Sequence, residues 1–241
     1  MRRGYTATRD AVVVTVPTRG EVARMYDGIA VEYDRSRNRP WPEVVEFARS
    51  LPPRTLVADL GCGGGRHAQV FAAEGRRVVG VDASSRLLEI ARRKIPKATF
   101  VRGDLCGLPL RESTFPAAAA VATIHHLPSE RERLAAMREI NRILRPGGTA
   151  LMTVWSLLQE SEEKTRGARP AGSDPRDVWV PWRAGGGEVQ RFYHLFDEGE
   201  LPALISTAGL RVTKYFRSAD NYVAVAEKHG EHLGVDRGIP G

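Results

Sequence analysis

Four groups of residues are of types and spacings that could do chemistry. The first is the run Ala58-Asp59-Leu60-Gly61-Cys62-Gly63-Gly64-Gly65, with Asp82-Ala83 and Gly103-Asp104-Leu105 downstream. Glycines allow a tight turn and bring backbone N–H groups close to a ligand. An acid such as Asp82, at the end of the following strand pattern, can accept both hydroxyls of a ribose. A dinucleotide site would read G-x-G-x-x-G. This loop reads D-x-G-x-G-x-G, and the Asp59 carboxylate ahead of it would repel a pyrophosphate. It suits a cofactor with a cationic amino-acid end. The second group is Ala122-Thr123-Ile124-His125-His126-Leu127. The third is Met25-Tyr26-Asp27-Gly28-Ile29-Ala30, followed by Tyr33-Asp34-Arg35-Ser36-Arg37-Asn38-Arg39-Pro40-Trp41-Pro42. The fourth joins Val178-Trp179-Val180-Pro181-Trp182 to Arg191-Phe192-Tyr193-His194-Leu195-Phe196 and Glu198-Gly199-Glu200-Leu201.

The elements that must position these groups alternate. Apolar runs at Leu56–Leu60, Arg77–Val81, Thr99–Arg102, Ala117–Ile124 and Thr149–Trp155 read as strands. Amphipathic patterns at His67–Glu74, Ser84–Lys94 and Ser129–Leu144 read as helices, the last closed by Pro146-Gly147-Gly148. Such alternation implies parallel βαβ units with both sheet faces covered. Ligands of these sheets bind at the carboxyl ends of the strands, where the glycine loop, Asp82, Asp104 and the His125-His126 pair all fall.

Composition sets the limits. The chain has 241 residues, 42% hydrophobic and 27% charged, which excludes collagen-like, coiled-coil and wholly disordered classes. No apolar run approaches the roughly 18 residues of a membrane helix. Two cysteines, Cys62 and Cys106, form no disulfide framework and suit a reducing, cytoplasmic setting. The net charge of +7 suits a polyanionic partner, although the bias toward arginine over lysine is also what a GC-rich genome produces. Residues 1–20 read as a flexible arm or a short added strand. Residues 21–227 read as one domain with an insert at about 156–196, and 228–241 as a disordered tail. The Gly-, Pro- and Arg-rich link Gln159–Asp177 reads as a mobile loop.

The glycine loop, Asp82, the Gly103-Asp104-Leu105 turn and the Pro146-Gly147-Gly148 turn together resemble class I S-adenosylmethionine-dependent methyltransferases. That resemblance covers about residues 55–155. It implies an α/β, Rossmann-like, doubly wound fold, with a mostly parallel seven-stranded sheet and helices on both faces. It also implies S-adenosylmethionine as cofactor and S-adenosylhomocysteine as product. Asp59, Gly61, Cys62, Gly63, Asp82, Ala83, Asp104, Leu105 and Thr123 are the implied cofactor ligands, with Asp104 and the following N–H meeting the adenine. Asp59 and Asp82 could instead serve as helix caps, and Cys62 is read as packing.

The other three groups, from about Glu21 to Val225, resemble the tRNA wobble-uridine methyltransferases that esterify 5-carboxymethyluridine. The "VPW" and "FYHLF..GEL" blocks are the specific part. A carboxylate acceptor is already ionised near neutrality and needs no general base. It needs orientation and removal of water. Arg37 and His125 are the catalytic candidates, with Arg39, Trp41, Trp179, Trp182, Arg191 and His194 for substrate. The tryptophans would stack on an unstacked anticodon base or simply pack, and the histidine pair could be structural. Adjacent residues of an extended strand point to opposite sides, so one histidine at most should face the cofactor. No zinc spacing surrounds them. The family also implies tRNA and a small zinc-binding activator subunit as partners, with the Ala-rich fourth strand as a surface to be covered. Three departures stand out: Pro116 follows Phe115 where the family has an acid, Ala117–Ala120 is unusually small, and Phe192 replaces another aromatic. The competing readings are a small-molecule methyltransferase of the same superfamily and a non-enzymatic scaffold. The scaffold should have lost cofactor ligands, whereas Asp59, Asp82 and Asp104 remain.

Overall fold

The computed structural model describes residues 16–158, 165–184 and 187–230. Helices α1 (Arg19–Ser36) and α2 (Pro42–Ser50) precede β1 (Leu56–Leu60), α3 (Arg66–Ala73), β2 (Arg77–Asp82), α4 (Ser85–Lys94), β3 (Thr99–Arg102) and β4 (Phe115–Val121). A 3-10 turn (Ile124–His126), α5 (Glu130–Ile143) and β5 (Leu144–Trp155) follow. Next come β6 (Arg169–Pro170), β7 (Asp177–Ala184) and β8 (Gly187–His194), then α6 (Glu200–Thr207), β9 (Leu210–Ser218) and β10 (Asn221–Lys228).

The main sheet runs β3-β2-β1-β4-β5-β10-β9. Strands β1 to β5 pair in parallel, and β10 is antiparallel to both its neighbours. The strand order reverses between β1 and β4, which opens a crevice at their carboxyl ends. Antiparallel β6, β7 and β8 form a separate small sheet. The alternating pattern implied the parallel βαβ units, and the seven-stranded, mostly parallel, doubly wound sheet is the one that the resemblance implied.

Local chemistry sets the element ends. Thr18 and Glu21 form a capping box on α1, as Ser129 and Glu132 do on α5. Because α1 begins at Arg19, the last residues of the expected arm are helical, while residues 1–15 lie outside the described residues. So do 159–164 of the expected mobile link and 231–241 of the expected tail. Pro146-Gly147-Gly148 is not a turn ahead of β5. The pairing steps from Phe115↔Leu144 to Ala117↔Thr149, so these residues bulge within the strand, with Gly147 at φ +70°.

Strand β4 is the centre of the sheet, and Ala117 to Ala120 are each at most 1% exposed. Met137, Ile140 and Ile143 of α5 and Ile205 of α6 pack on one face. Phe47 of α2, Phe71 of α3 and Leu88 of α4 pack on the other. Small side chains let helices approach from both sides, which explains the departure noted in the sequence. The strand is therefore not available as a docking surface for an activator. Among the described residues, no helix is long and apolar enough to cross a membrane. Enlarging the centre should overpack it: Ala119→Leu is expected to lower stability by about 1–3 kcal/mol in equilibrium urea unfolding.

Candidate active site

The loop from β1 to α3 lies at the switch point. Gly61 and Gly63 have φ of +70° and +52°, a region that favours glycine. The Asp82 carboxylate holds the loop. One oxygen accepts the Gly63 N–H at 2.8 Å, and the other accepts the Ser84 N–H at 2.8 Å. Ser84, not Asp82, is the N-cap of α4, through its hydroxyl and the Leu87 N–H. Thr123 Oγ1 donates to the Gly61 carbonyl at 3.4 Å. Cys62 is buried and its thiol is pushed far up by desolvation, so it packs and does not react.

Beside the loop is a cavity of about 510 Å³, lined by Gly61, Cys62, Gly63, Asp82, Ala83, Asp104, Leu105 and Thr123 among others. These residues fit a nucleoside cofactor. A Cβ on Gly63 would meet nothing within 4 Å, so the loop leaves open space. Asp59 departs from expectation, because it lies under the loop and not in the cavity wall. It is 1% exposed, and one carboxylate oxygen has no hydrogen-bond partner among the described residues. Burial and the Asp82 carboxylate raise its pKa to about 7. A cation brought to the loop would relieve that strain electrostatically. Asp104 is exposed and 3.3 Å from the Arg19 Nε of α1, which reaches across the cavity mouth.

The opposite wall corrects the assignment of the histidines. His125 is 1% exposed, and its Nδ1 accepts the Trp155 N–H at 3.0 Å, outside the cavity lining. His126 lines the cavity instead. The chain leaves β4 at Val121 and turns through the 3-10 segment, so the extended-strand argument does not apply, and the two rings lie 4.5 Å apart. His126 Nδ1 is 2.9 Å from the Phe192 carbonyl, which can only accept. Its Nδ1 therefore carries the proton, and Nε2 accepts from the Tyr26 hydroxyl at 2.9 Å. Desolvation lowers its pKa to about 4, so the ring is neutral.

Strand alternation sorts the insert. Trp182 and Val180 of β7 share a face with Val189, Arg191 and Tyr193 of β8, since Val180 pairs with Arg191 and Trp182 with Val189. The Arg191 guanidinium lies 5.2 Å from the Tyr193 ring and 5.7 Å from the Trp182 ring. Tyr193 packs 4.6 Å from His126, and Trp182 packs 6.0 Å from Tyr33, so this face adjoins the cavity wall. Arg191 is 4% exposed, and its Nε and one terminal nitrogen have no hydrogen-bond partner among the described residues.

Trp179 and His194 fall on the other face. Trp179 meets Phe192 edge-on at 5.9 Å, and His194 is held between Asp177 and Glu200. Neither reaches the acceptor side, contrary to expectation. Arg37 lines the cavity and lies 5.3 Å over the Tyr33 ring. Arg39 is exposed, and its carbonyl accepts from Arg66. Trp41 lies against Arg66 and His67, which line the cavity. Sequence reasoning gave no site role to Tyr26, Tyr33, His126 and Tyr193, although all four stand in the motifs it singled out, and it missed Arg66. The period-two spacing of Arg191 and Tyr193 was the available signal for Tyr193.

A Cβ on Gly61 would fall 2.0 Å from Thr123 Oγ1 in a backbone region unfavourable to other residues. Gly61→Ala is therefore expected to weaken S-adenosylmethionine binding at least tenfold in calorimetry, about 1.4 kcal/mol.

A methyltransferase domain family matches residues 58–152. The Schizosaccharomyces pombe tRNA (carboxymethyluridine(34)-5-O)-methyltransferase is 34% identical over 228 residues, spanning 86% of this chain and 96% of that protein. The Xenopus tropicalis protein alkbh8, of the same activity name, is 32% identical; the match spans 86% of this chain but only 40% of that longer protein. A Haloferax volcanii methyltransferase solved in complex with the Trm112 methyltransferase activator shares the fold at a TM-score of 0.66, with 17% identity over 88% of this chain and 99% of that one. The chain is an S-adenosylmethionine-dependent methyltransferase and belongs to the tRNA (carboxymethyluridine(34)-5-O)-methyltransferase family.

Proposed function

We propose that this enzyme methylates the carboxylate of 5-carboxymethyluridine at the wobble position of tRNA, giving the methyl ester. The buried Arg191 guanidinium carries the reading. A permanent cation removed from water with unpartnered N–H groups is costly. A carboxylate is the acceptor that would satisfy it, because guanidinium pairs with carboxylate through two parallel hydrogen bonds. A neutral phenol or amine acceptor would leave it unpaired.

Bound S-adenosylmethionine supplies the electrophilic methyl group. Gly61, Gly63, Asp82, Ala83, Asp104, Leu105 and Thr123 would hold it, with Asp59 acting electrostatically from beneath the loop. Arg191 would bind one acceptor oxygen and leave the other free to attack. Arg37 would add a second cation on the α1 side, in the role first given to it with His125. His126 cannot act as a base in this arrangement, since its one free lone pair already accepts from Tyr26. None is needed, because an acceptor carboxylate is ionised at neutral pH. The wall of Tyr26, Tyr33, Tyr193 and Trp182 would exclude water, and Tyr33 and Trp182 offer rings for the uracil. Trp41, at the cavity edge, and exposed Arg39 would meet the anticodon backbone.

We further propose residues 21–227 as a single methyltransferase domain with a substrate insert at about 156–196. The working partners would be tRNA and a zinc-binding activator subunit, in the cytoplasm. Membership in the tRNA methyltransferase family supports the tRNA, and a shared fold with an activator-bound neighbour is consistent with the second.

The test is transfer of labelled methyl to tRNA that carries 5-carboxymethyluridine, with and without a co-expressed activator. The expected product is a base-labile label on the wobble uridine. Label found only on small molecules, or base-stable label on tRNA, would overturn the proposal. Arg191→Ala is expected to reduce transfer about 100-fold while leaving cofactor affinity within about twofold, the pattern of a lost positioning contact.

A further inference from the structure

The face of β8 opposite Arg191 carries a charge cluster that methyl transfer does not use directly. His194, the last residue of the strand, has a side chain 0% exposed to solvent. Its Nδ1 is 2.6 Å from an Asp177 carboxylate oxygen, and its Nε2 is 2.9 Å from Glu200 Oε1. Both ring nitrogens face acceptors. A neutral imidazole has one N–H and would turn a lone pair on one carboxylate. A doubly protonated ring donates to both carboxylates at once.

The groups around the ring come from every neighbouring element. Asp177 opens β7 and is the cross-strand partner of His194. Glu200 opens α6, and its other oxygen accepts from Arg176 at 3.0 Å. Arg176 is also held by Asp174 at 2.7 Å and by Asp197 at 3.2 Å. Arg133 of α5 lies 3.8 Å from Glu200 and donates to the Leu127 carbonyl at 3.1 Å, next to His126 in the cavity wall. Cations and carboxylates thus alternate through the cluster. It fastens the end of β8 to the body of the enzyme at α5 and α6.

We infer that His194 is a positioning residue: clamped between Asp177 and Glu200, it fixes β8 and thereby aims the Arg191 guanidinium, three residues upstream on the opposite face, at the methyl acceptor. The spacing of the block fits this role. His194 and Glu200 are joined by a turn in which Gly199 takes φ +88°, which lets the first residue of α6 reach back to the ring. The inference rests on the carboxylate reading of Arg191.

The clamp has a pH signature. Desolvation opposes the charged ring, but the hydrogen bonds to Asp177 and Glu200 outweigh it and raise the His194 pKa above 6.5. Glu200 is lowered, with burial opposing its ionisation and the His194 hydrogen bond overcoming that. The His194 contribution is present in full below the unfolded histidine value and is lost as pH rises through the raised folded value. The Glu200 contribution is lost only in acid.

The experiment uses the full chain, with the activator if activity requires it, and tRNA carrying 5-carboxymethyluridine. His194→Phe is expected to lower kcat/KM for tRNA about tenfold or more, with unchanged cofactor affinity. In Arg191→Ala the same change should add little, because the two act as a unit. The wild-type rate should fall on the alkaline side with the titration of one group, and Arg191→Ala should lack that limb. Nitrogen NMR of the His194 ring gives a reading that does not depend on the variants folding: both nitrogens protonated near neutral pH. Losses that multiply, an unaltered pH profile, or a neutral ring would each overturn the inference. An Arg191→Ala variant that keeps the wild-type rate of transfer would instead defeat the carboxylate reading itself, so the two failures are distinct.

Discussion

A guanidinium kept out of water organises the acceptor half of this enzyme. Arg191 cannot lose its charge, so its surroundings must stabilise it by other means. Trp182 and Tyr193 offer the negative faces of their rings on one side of a small sheet. These contacts are worth less than a matched anion, which leaves a standing preference for a carboxylate beside the cofactor cavity. The tyrosine and histidine wall follows from the same requirement. It must be dry to make that preference strong, yet hold its own polar atoms in hydrogen bonds, as Tyr26, His126 and the Phe192 carbonyl do.

The cofactor half obeys a different constraint. Its geometry comes from backbone close to the end of a packed sheet. Asp82 accepts the Gly63 N–H of the glycine loop and the Ser84 N–H ahead of α4, and so ties the loop to the end of β2. The Ala117–Ala120 centre allows the helices on both faces to close on the sheet, so this frame is rigid without any substrate contact. In the proposed arrangement specificity lies in the insert and in α1, and the sheet presents the methyl donor.

The frame was readable in the chain because periodicity and glycine placement are local signals. Strand and helix positions agreed to within a few residues, and the loop residues line the cavity except Asp59, which lies outside its lining. The acceptor side was read less well, for a physical reason. Arg191 and His194 looked equivalent in the sequence, and only the pleat of β8 sends them to opposite faces. His125 was preferred to His126 because an extended strand was assumed where the chain turns through a 3-10 segment. Tyr26 stands in a motif that gives it no role, and Arg66 carries no motif of its own. Their importance comes from contacts over long sequence separations, which a single sequence does not display.

The bond between His126 and the Phe192 carbonyl spans 66 residues, and that between Tyr26 and His126 spans 100. Both close long chain loops, whereas the shorter of the glycine loop's two side-chain contacts, the 2.8 Å bond from the Gly63 N–H to Asp82, stays within the β1–β2 unit, and only the 3.4 Å bond from Thr123 is long-range. The two halves of the site thus differ in contact order. Non-local contacts are gained late in folding and released early in partial opening. Opening of the Tyr26–His126–Phe192 chain of hydrogen bonds alone would undock the insert while the Asp82 bonds to the glycine loop stayed in place. Such a species would still take up its cofactor and yet be unable to recognise RNA, so cofactor occupancy is a poor gauge of catalytic competence in this fold.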